Sequence, residues 1–164
     1  MPLQISQFKS PIGVINLIAD EQILLGLNFS SIKAIKDSLD EVDFAKGFKE
    51  VSKVAVISDL LSDYFAGDID AINGIVVRQP GAQFSQAAWK AMRKVKAGKT
   101  LSYADLADRA GSTAAVRAAG SACAKNAIAL VVPCHRIVKT GGALGNYAYG
   151  LSKKEWLLRH EGAL

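Results

Sequence analysis

The sequence contains little cysteine, no long apolar run and no internal repeat or low-complexity segment. Two cysteines among 164 residues can form at most one disulfide, which excludes a scaffold held together by disulfides. The longest apolar runs, such as residues 127–133, are far too short to span a bilayer. The chain opens without a basic stretch followed by an apolar one, so we predict no secretory signal. A reduced, cytoplasmic protein with free thiols is the expectation.

The sequence does contain enough apolar residues for a packed core, together with an uneven distribution of charge. Half of the residues are hydrophobic and 21% are charged, which excludes an intrinsically disordered chain. Residues 1–78 carry seven basic and eleven acidic side chains, whereas residues 79–164 carry thirteen and four. The resulting net charges of −4 and +9 favour a polyanion such as nucleic acid as the partner of the second half. A chance distribution of surface charge is the alternative.

Turn residues divide the chain at Gln79-Pro80-Gly81, and the hydrophobic periodicity differs on the two sides. On the N-terminal side, alternating apolar residues predict an antiparallel meander of three strands. Helical spacing then predicts two helices, over residues 31–40 and 53–65, before a last strand at residues 75–77. We therefore predict an α+β fold, with a small domain of sheet and helices over residues 1–78 and a mainly helical domain over residues 79–164.

The second domain is predicted to begin with a helix over residues 84–98 and to continue with two shorter helices. Ser102 is the expected N-cap of the first, which ends at Gly111, and Ser112 is the expected N-cap of the second. Two short helices joined by a tight turn are the outline of a helix-turn-helix. The second helix is rich in alanine and has one long polar side chain that could reach DNA, Arg117. Such a helix suits close approach to a minor groove better than reading of a major groove, although packing against another helix explains the alanines equally well.

The residues that could carry chemistry follow the apolar run 127–132, which reads as a strand and leads into Pro133-Cys134-His135-Arg136. Basic neighbours favour the thiolate form of a cysteine. A cysteine with a histidine partner is a candidate nucleophile, and an inert buried thiol is the alternative. The spacing of the cysteines and histidines is not that of paired metal ligands, so we predict no metal site.

Pro133-Cys134-His135-Arg136, followed by Ile137-Val138, resembles the active-site motif of the O6-alkylguanine-DNA alkyltransferases. Further blocks match that family in order and spacing; they are Ser102-Tyr103, Arg117-Ala118-Ala119-Gly120, Asn126, Gly145-Asn146-Tyr147, Lys154 to Leu158 and His160-Glu161-Gly162. The strong resemblance covers about residues 84–162. It implies a ribonuclease H-like first domain and a winged-helix or helix-turn-helix-like second domain. It also implies a monomer that needs no cofactor and acts on duplex DNA containing O6-alkylguanine.

The resemblance implies a role for each matching residue. Cys134 would accept the alkyl group, chiefly methyl, and keep it as a thioether, so that each molecule acts once. His135 would take the thiol proton through a water molecule, and Glu155 would orient His135. Because chemistry on a base requires taking it out of the stack, Arg117 would enter the stack where the guanine leaves. Tyr103 would crowd the phosphate and protonate the leaving guanine.

The remaining matches assign one hinge residue, two further DNA contacts and a substrate pocket. They are Asn126 as the hinge, Ala118 and Gly120 against DNA, and Ile137, Tyr147, Ala148 and Tyr149 in the pocket. Glu155 has an alternative role, because with Ser152 it would form a capping box at the start of the last helix. Ala148 and Tyr149 depart from many relatives, and we expect them to disfavour large alkyl groups.

Three other functions compete with alkyl transfer. A module that binds alkylated DNA and flags the lesion without repairing it would not need Cys134. A helix-turn-helix transcription factor should read the major groove with several polar side chains, which the alanine-rich helix lacks. A cysteine hydrolase would turn over repeatedly. For a repair protein, the cytoplasm with its nucleoid, or a nucleus, is the expected location.

Overall fold

The computed structural model describes residues 1–164, which form two compact units, Met1–Pro80 and Gly81–Leu164. The fold is α+β, as predicted. The first unit contains a five-stranded mixed sheet and three helices, and the second contains four helices and a two-stranded parallel ribbon. No helix is both long enough and apolar enough to cross a membrane.

The first unit is built on the predicted antiparallel meander. Its strands and helices in chain order are β1 (Leu3–Ser10), β2 (Gly13–Asp20), β3 (Ile23–Asn28), α1 (Ile32–Ser38), α2 (Glu41–Phe44), β4 (Phe48–Glu50), α3 (Ile57–Phe65) and β5 (Val76–Val77). The strand order is β4-β1-β2-β3-β5, with both edge strands parallel to their neighbours. Alternate residues of β1, such as Leu3 and Ile5, are buried with Ile35 of α1 in one core cluster.

Two features of this unit differ from the prediction. The helix expected from residue 53 begins at Ile57, because Val56 before it has a positive φ of 70° that a helix cannot include. Helix α2 and strand β4 were not predicted, since elements of four and three residues are too short to show a periodicity. The pairing of β4 with β1 joins residues more than 40 positions apart, which local patterning does not reveal.

The second unit places a helix pair beside a short ribbon. Its elements are α4 (Gln83–Met92), β6 (Leu101–Ser102), α5 (Tyr103–Arg109), α6 (Val116–Lys125), β7 (Ile137–Val138) and α7 (Leu151–His160), with a 3₁₀ turn at Cys134–Arg136 before β7. Helix α4 packs against α5 and α6, and the Trp89 indole donates a hydrogen bond of 2.9 Å to the Ala122 carbonyl. The parallel pairing of β6 with β7 brings the start of α5 beside the segment that follows Cys134.

Local sequence signals in this unit predicted one helix cap correctly and misplaced two helix ends. The cap of α5 is confirmed, because the Ser102 hydroxyl accepts a 3.0 Å hydrogen bond from the Asp105 amide. The predicted cap at Ser112 is wrong, since α6 begins at Val116 and has no side-chain cap. Helix α4 ends at Met92 and not near residue 98.

The apolar run before Cys134 is not the predicted strand. Ile128 forms only an isolated β-bridge, and the residues around it fold into tight turns. The Val132 amide donates to the Ile128 carbonyl at 3.0 Å, and Leu130 has a φ of +69°. The run is nevertheless buried, which explains why its composition resembles that of a core strand.

Candidate active site

Cys134 lies on the wall of a cavity of about 390 Å³ in the second unit. The thiol residue is the first of the 3₁₀ turn and is 8% exposed. The cavity is lined by residues from α5, α6, the turn and the loop before α7; they are Tyr103, Gly120, Cys123, Ala124, Cys134, Lys139, Asn146, Tyr147 and Ala148. Five residues predicted for the site from sequence therefore meet at one cavity, although they are spread over 46 positions of the chain: Tyr103, Gly120, Cys134, Tyr147 and Ala148.

The buried amide of Asn126 holds the irregular segment that leads to Cys134. Its nitrogen donates to the Val132 carbonyl at 2.8 Å, and its oxygen accepts from the Ile128 amide at 3.1 Å. These bonds close the segment around Leu130, whose positive φ costs about 1–3 kcal/mol in a non-glycine residue. Asn126 thus connects the end of α6 to the residue before Pro133.

His135, Arg136 and Glu161 form a fully buried polar network. Glu161 accepts from the His135 ring Nε2 at 2.9 Å and from two nitrogens of the Arg136 guanidinium at 2.8 and 2.9 Å. The third guanidinium nitrogen donates to the Val95 carbonyl at 2.8 Å. Both neighbours hold the pKa of the Glu161 carboxyl far below its usual range despite burial, which raises it. The buried charges of the Glu161 carboxylate and the Arg136 guanidinium compensate each other, and the His135 ring forms a further hydrogen bond with the carboxylate.

The network selects one tautomer of His135. A carboxylate only accepts hydrogen bonds, so the proton between Glu161 and His135 resides on Nε2 of the ring. Burial lowers the pKa of His135, although Glu161 opposes this, and the neutral imidazole is favoured. Nδ1 is then an acceptor, and it is buried without a hydrogen-bond partner within the protein. A neutral imidazole held in this way is suited to accept a proton.

Glu155 does not orient His135, which corrects the prediction from sequence. Its carboxylate forms a 2.8 Å ion pair with Arg159 on the exposed face of α7. The predicted capping box is also absent, because α7 begins at Leu151 after Gly150, one residue before Ser152. Glu155 therefore lies in the second turn of the helix and faces outward. The orienting carboxylate is Glu161, 26 residues from His135 in the sequence.

A signal for Glu161 existed in the sequence. A carboxylate at the C-terminus of a helix is unfavourable to the helix dipole unless a cation or another donor compensates it. Glu161 follows the last residue of α7, and Arg136 and His135 supply that compensation. Its block, His160-Glu161-Gly162, belongs to the family resemblance, but so does the block that contains Glu155, and the structure decides between the two carboxylates.

Tyr103 closes one side of the cavity against the loop before α7. The hydroxyl forms a hydrogen bond with the Asn146 backbone, and burial raises the pKa of the phenol. The neighbouring Gly145 has a φ of +76°, and a Cβ there would lie 3.2 Å from the Tyr103 hydroxyl. Glycine therefore allows this loop to turn and to approach the ring. The phenol stays protonated near neutral pH and is able to donate.

Two residues predicted for the pocket do not line the cavity. Ile137 is fully buried, because it belongs to β7 and pairs with Leu101 of β6. Tyr149 packs edge-to-face on Tyr147 at a centroid distance of 5.5 Å. Burial and the charge of an ionised Cys134 raise the pKa of Tyr149 to about 12. Tyr149 is therefore close enough to Cys134 to interact with it electrostatically, although it does not line the cavity.

Cys123 is a cavity residue that the sequence reading missed. It is half-buried and shares the cavity with Cys134. It lies three positions after Gly120 on α6, a helical spacing that could have shown that both face the same side. Burial raises the pKa of Cys123 to about 12, so this thiol stays protonated. Burial also raises the pKa of Cys134, but a hydrogen bond from Asn126 and the charge of Lys154 oppose it.

Arg117 and Ala118 project from α6 into solvent. A Cβ added at Gly120 would meet no atom within 4 Å, so packing within the protein does not require glycine there. Glycine in a helix interior costs about 1 kcal/mol relative to alanine. The open space at Gly120 therefore belongs to the cavity and the outer surface of α6. No three histidine, cysteine, aspartate or glutamate side chains lie close enough together to hold a metal ion.

Comparison with known proteins identifies the family of this chain. The family model described as "6-O-methylguanine DNA methyltransferase, DNA binding domain" matches residues 83–163. A protein named methylated-DNA–protein-cysteine methyltransferase from Salmonella typhimurium is 36% identical over 162 residues, covering 96% of this chain and 95% of that one. The chain belongs to the methylated-DNA–protein-cysteine methyltransferase family.

Solved structures support the assignment to the methylated-DNA–protein-cysteine methyltransferases. The O6-methylguanine methyltransferase of Mycobacterium tuberculosis has 29% identity and a TM-score of 0.77, covering 98% of this chain and 93% of that one. The M. tuberculosis protein described as OGT in complex with DNA has a TM-score of 0.79 with the same identity and coverage. The resemblance found in the sequence, and with it the enzyme class, is confirmed.

Proposed function

We propose that this chain repairs duplex DNA by irreversible transfer of the alkyl group of O6-alkylguanine, chiefly methyl, to Cys134. The observation that carries this proposal is the thiol on the wall of a cavity of about 390 Å³, next to a histidine held by a buried carboxylate. A cavity of this size falls within the range that binds small molecules, and a flipped base is a ligand of that kind. The thiol belongs to the same motif as the family's acceptor.

The proposed reaction uses groups that lie around the cavity. Nδ1 of neutral His135 accepts the Cys134 proton through one water molecule, and Glu161 stabilises the imidazolium that forms. The thiolate attacks the alkyl carbon, a carbon–sulfur bond forms and the carbon–oxygen bond breaks. Guanine leaves with the electron pair and takes a proton from the Tyr103 hydroxyl. The thioether that remains on Cys134 has no leaving group that the site could activate, so each molecule acts once.

Base flipping through a minor-groove helix-turn-helix is the proposed route into the cavity. Helices α5 and α6 form a helix pair, and the second half of the chain has the net charge of +9 that suits a phosphate backbone. Arg117 would fill the space that the flipped guanine leaves in the base stack. The small residues Ala118 and Gly120 would let α6 approach the minor groove closely. A module that only binds the lesion is the second candidate, and the reactive geometry around Cys134 disfavours it.

We also propose that the two compact units are separate domains, divided near residue 78. The antiparallel meander with β4 parallel to β1 supports a ribonuclease H-like first domain. The α5–α6 pair beside the β6–β7 ribbon supports a winged-helix-like second domain. A monomer in a reducing compartment is the simplest form of such a protein, because Cys134 must stay a free thiol.

Mass spectrometry tests the transfer directly. Mixing the protein with a duplex containing one O6-methylguanine should add the mass of one methyl group to the peptide that contains Cys134. The amount transferred should not exceed one methyl per protein molecule. Absence of transfer, or several turnovers per molecule, would contradict the proposal.

The finger role of Arg117 predicts a substrate-dependent loss. Arg117→Ala should slow transfer from duplex DNA about 10- to 100-fold. Flipping a base costs a few kcal/mol, and the variant has no Arg117 side chain to fill the space that the guanine leaves in the base stack. Reaction with free O6-methylguanine base should not change, since that substrate needs no flipping. Lys125→Ala is the matched control, because Lys125 is an exposed cation on the same helix. Equal slowing of the duplex and the free base would refute the finger role.

Gly120→Ala is expected to raise stability while lowering activity. An alanine gains about 0.5–1 kcal/mol in a helix interior, and its Cβ meets no atom of the protein. The same Cβ intrudes into the cavity and the DNA-facing surface, so transfer from duplex DNA should slow about tenfold, the equivalent of one lost close contact. Thermal unfolding and single-turnover kinetics measure the two effects. A full rate in Gly120→Ala would refute the close approach of α6 to DNA.

A further inference from the structure

A groove of about 380 Å³ in the second unit is lined by three basic side chains and two alanines; they are Ala87, Lys90, Ala91, Lys94 and Arg109. The first four follow one face of α4 and the turn after it, at helical spacings of three and four residues. Arg109 is the last residue of α5. The groove shares no residue with the cavity that contains Cys134, so it is a separate site.

The positive charge of this groove is not compensated within the protein. Lys90, Lys94 and Arg109 are exposed, and none of them forms an ion pair. The acidic residues of α5, Asp105 and Asp108, do not line the groove. Three like charges around one groove repel each other, so an anion bound there would lower the electrostatic energy.

The first unit shows how clustered cations are compensated when they serve structure alone. Lys46 and Arg78 both form ion pairs with Asp20 and with Asp43, at distances between 2.7 and 3.2 Å. The groove of the second unit has the cations of such a cluster without its carboxylates. Its counter-charge therefore comes from outside the chain.

The lining of the groove selects the kind of anion. Lysine and arginine are the usual side-chain ligands of phosphate groups, and the alanine methyl groups between them are apolar. A volume of about 380 Å³ is much larger than a single phosphate ion needs. A sugar–phosphate backbone fits both properties of the groove, because its deoxyribose carbons can contact the alanines while its phosphates contact the cations.

The groove also lies beside the helix pair. Arg109 ends α5, and residues 110–115 lead from it to the end of α6 that carries Arg117. The minor groove of B-DNA is about 6 Å wide, whereas a helix with its side chains is about 10–12 Å across. A helix that approaches a minor groove therefore brings the neighbouring elements close to the flanking backbone. Both α4 and α5 pack against α6, and they carry the three cations.

We propose that the groove formed by Lys90, Lys94 and Arg109 binds backbone phosphates of the duplex that flanks the lesion, outside the contacts of α6. This inference rests on the proposed function of the chain in the repair of duplex DNA. The groove would contribute affinity that does not depend on base sequence, and it would take no part in alkyl transfer. Neutralising phosphates releases counterions, so this affinity depends steeply on salt.

A triple variant with Lys90→Gln, Lys94→Gln and Arg109→Gln, here the groove variant, removes the three charges and keeps polar side chains. Fluorescence anisotropy measures its affinity for an O6-methylguanine duplex over a range of salt concentrations. Single-turnover kinetics measure methyl transfer from saturating duplex and from free O6-methylguanine base.

The matched control removes the same charge elsewhere. It combines Lys9→Gln, Lys49→Gln and Lys99→Gln, three exposed lysines that do not line the groove. The control has the same net charge as the groove variant, so a difference between the two proteins reports the position of the charges and not their number.

The groove variant should bind the duplex about 10- to 100-fold more weakly than the control at about 50 mM salt, and the difference should shrink at about 200 mM. The slope of log affinity against log salt should decrease by about two to three, because each phosphate contact contributes about 0.9. Transfer from saturating duplex and from the free base should keep its rate. Equal slopes in the two triple variants would overturn the inference. A slower reaction with the free base would also overturn it, because the three residues would then act on the chemistry.

A measurement on the unsubstituted protein distinguishes DNA from a free anion. Acetic anhydride should acetylate Lys90 and Lys94 more slowly when the duplex is bound, whereas Lys9 should react at the same rate. Inorganic phosphate at the same ionic strength should give no protection. Protection by inorganic phosphate but not by the duplex would make the groove a site for free anions and would overturn the inference.

Failure of the proposed function has a different result from failure of this inference. In the first case the duplex would leave Cys134 unmethylated, while the affinity for DNA would still depend on the groove. In the second case methyl transfer would proceed, and both triple variants would bind the duplex alike.

Discussion

Cys134→Ala is expected to bind duplex DNA containing O6-methylguanine and to leave the methyl group on the base. The substitution removes the only atom that the proposed reaction bonds to, while the buried network of His135, Arg136 and Glu161 keeps its hydrogen bonds. Losing one small buried group should cost about 1 kcal/mol of stability. Digestion of the DNA and chromatography of the bases measure the retained methyl, and fluorescence anisotropy measures binding.

Cys123→Ala is the matched control, because it makes the same change in the same cavity, on helix α6. Its transfer should be retained, since the high pKa of Cys123, about 12, keeps that thiol protonated. Loss of transfer in Cys123→Ala with retention in Cys134→Ala would reverse the assignment of the acceptor. Loss of binding in Cys134→Ala would instead show that the thiol serves recognition.

Glu161→Gln is expected to lower both stability and activity strongly. The amide cannot accept from His135 and from both nitrogens of Arg136 at once, and it leaves the buried guanidinium without a countercharge. Breaking a buried ion pair in this way costs about 3–5 kcal/mol. Without its orienting carboxylate, His135 loses most of its effect as a base, which is worth about 100-fold or more in rate. Urea unfolding and single-turnover transfer measure the two losses.

The same substitution changes the response to acid. The pKa of Glu161 is lowered in the folded protein, so its contribution to stability is complete above its unfolded pKa of about 4.3 and is lost as the pH falls toward the lowered value. Stability of the unsubstituted protein should therefore fall on acidification below about pH 4. Glu161→Gln should lack that part of the decline. An identical slope in both proteins would contradict the pairing of Glu161 with His135 and Arg136.

Glu155→Gln is the control for Glu161, since it makes the same change six residues earlier, within α7. Its partner Arg159 is exposed, and an exposed i,i+4 pair is worth about 0.3–0.5 kcal/mol. Transfer should be unaffected. If Glu155→Gln abolished transfer and Glu161→Gln did not, the carboxylate expected from sequence would be the orienting one after all.

Local signals were sufficient for part of the fold and of the site. The meander β1–β3 follows from alternating apolar residues, and the cap of α5 follows from Ser102, whose partner lies three residues away. Strand β4 and the turns at residues 127–132 did not follow. Whether an apolar run becomes a strand depends on a partner strand elsewhere in the chain. Strand β4 has such a partner along its length, whereas residues 127–132 form only an isolated bridge at Ile128.

The sequence by itself determined the α+β class, the reactive motif at Cys134, the basic second half and the family. These properties depend on composition, on the spacing of nearby residues and on the order of motifs, all of which are present in the sequence itself. Only the tertiary structure decided that Glu161 and not Glu155 holds His135, that Cys123 shares the cavity, and that Lys154 is completely buried. Each of these depends on contacts between residues far apart in the chain and on where a helix begins, because one residue of shift turns a helical side chain by about 100°.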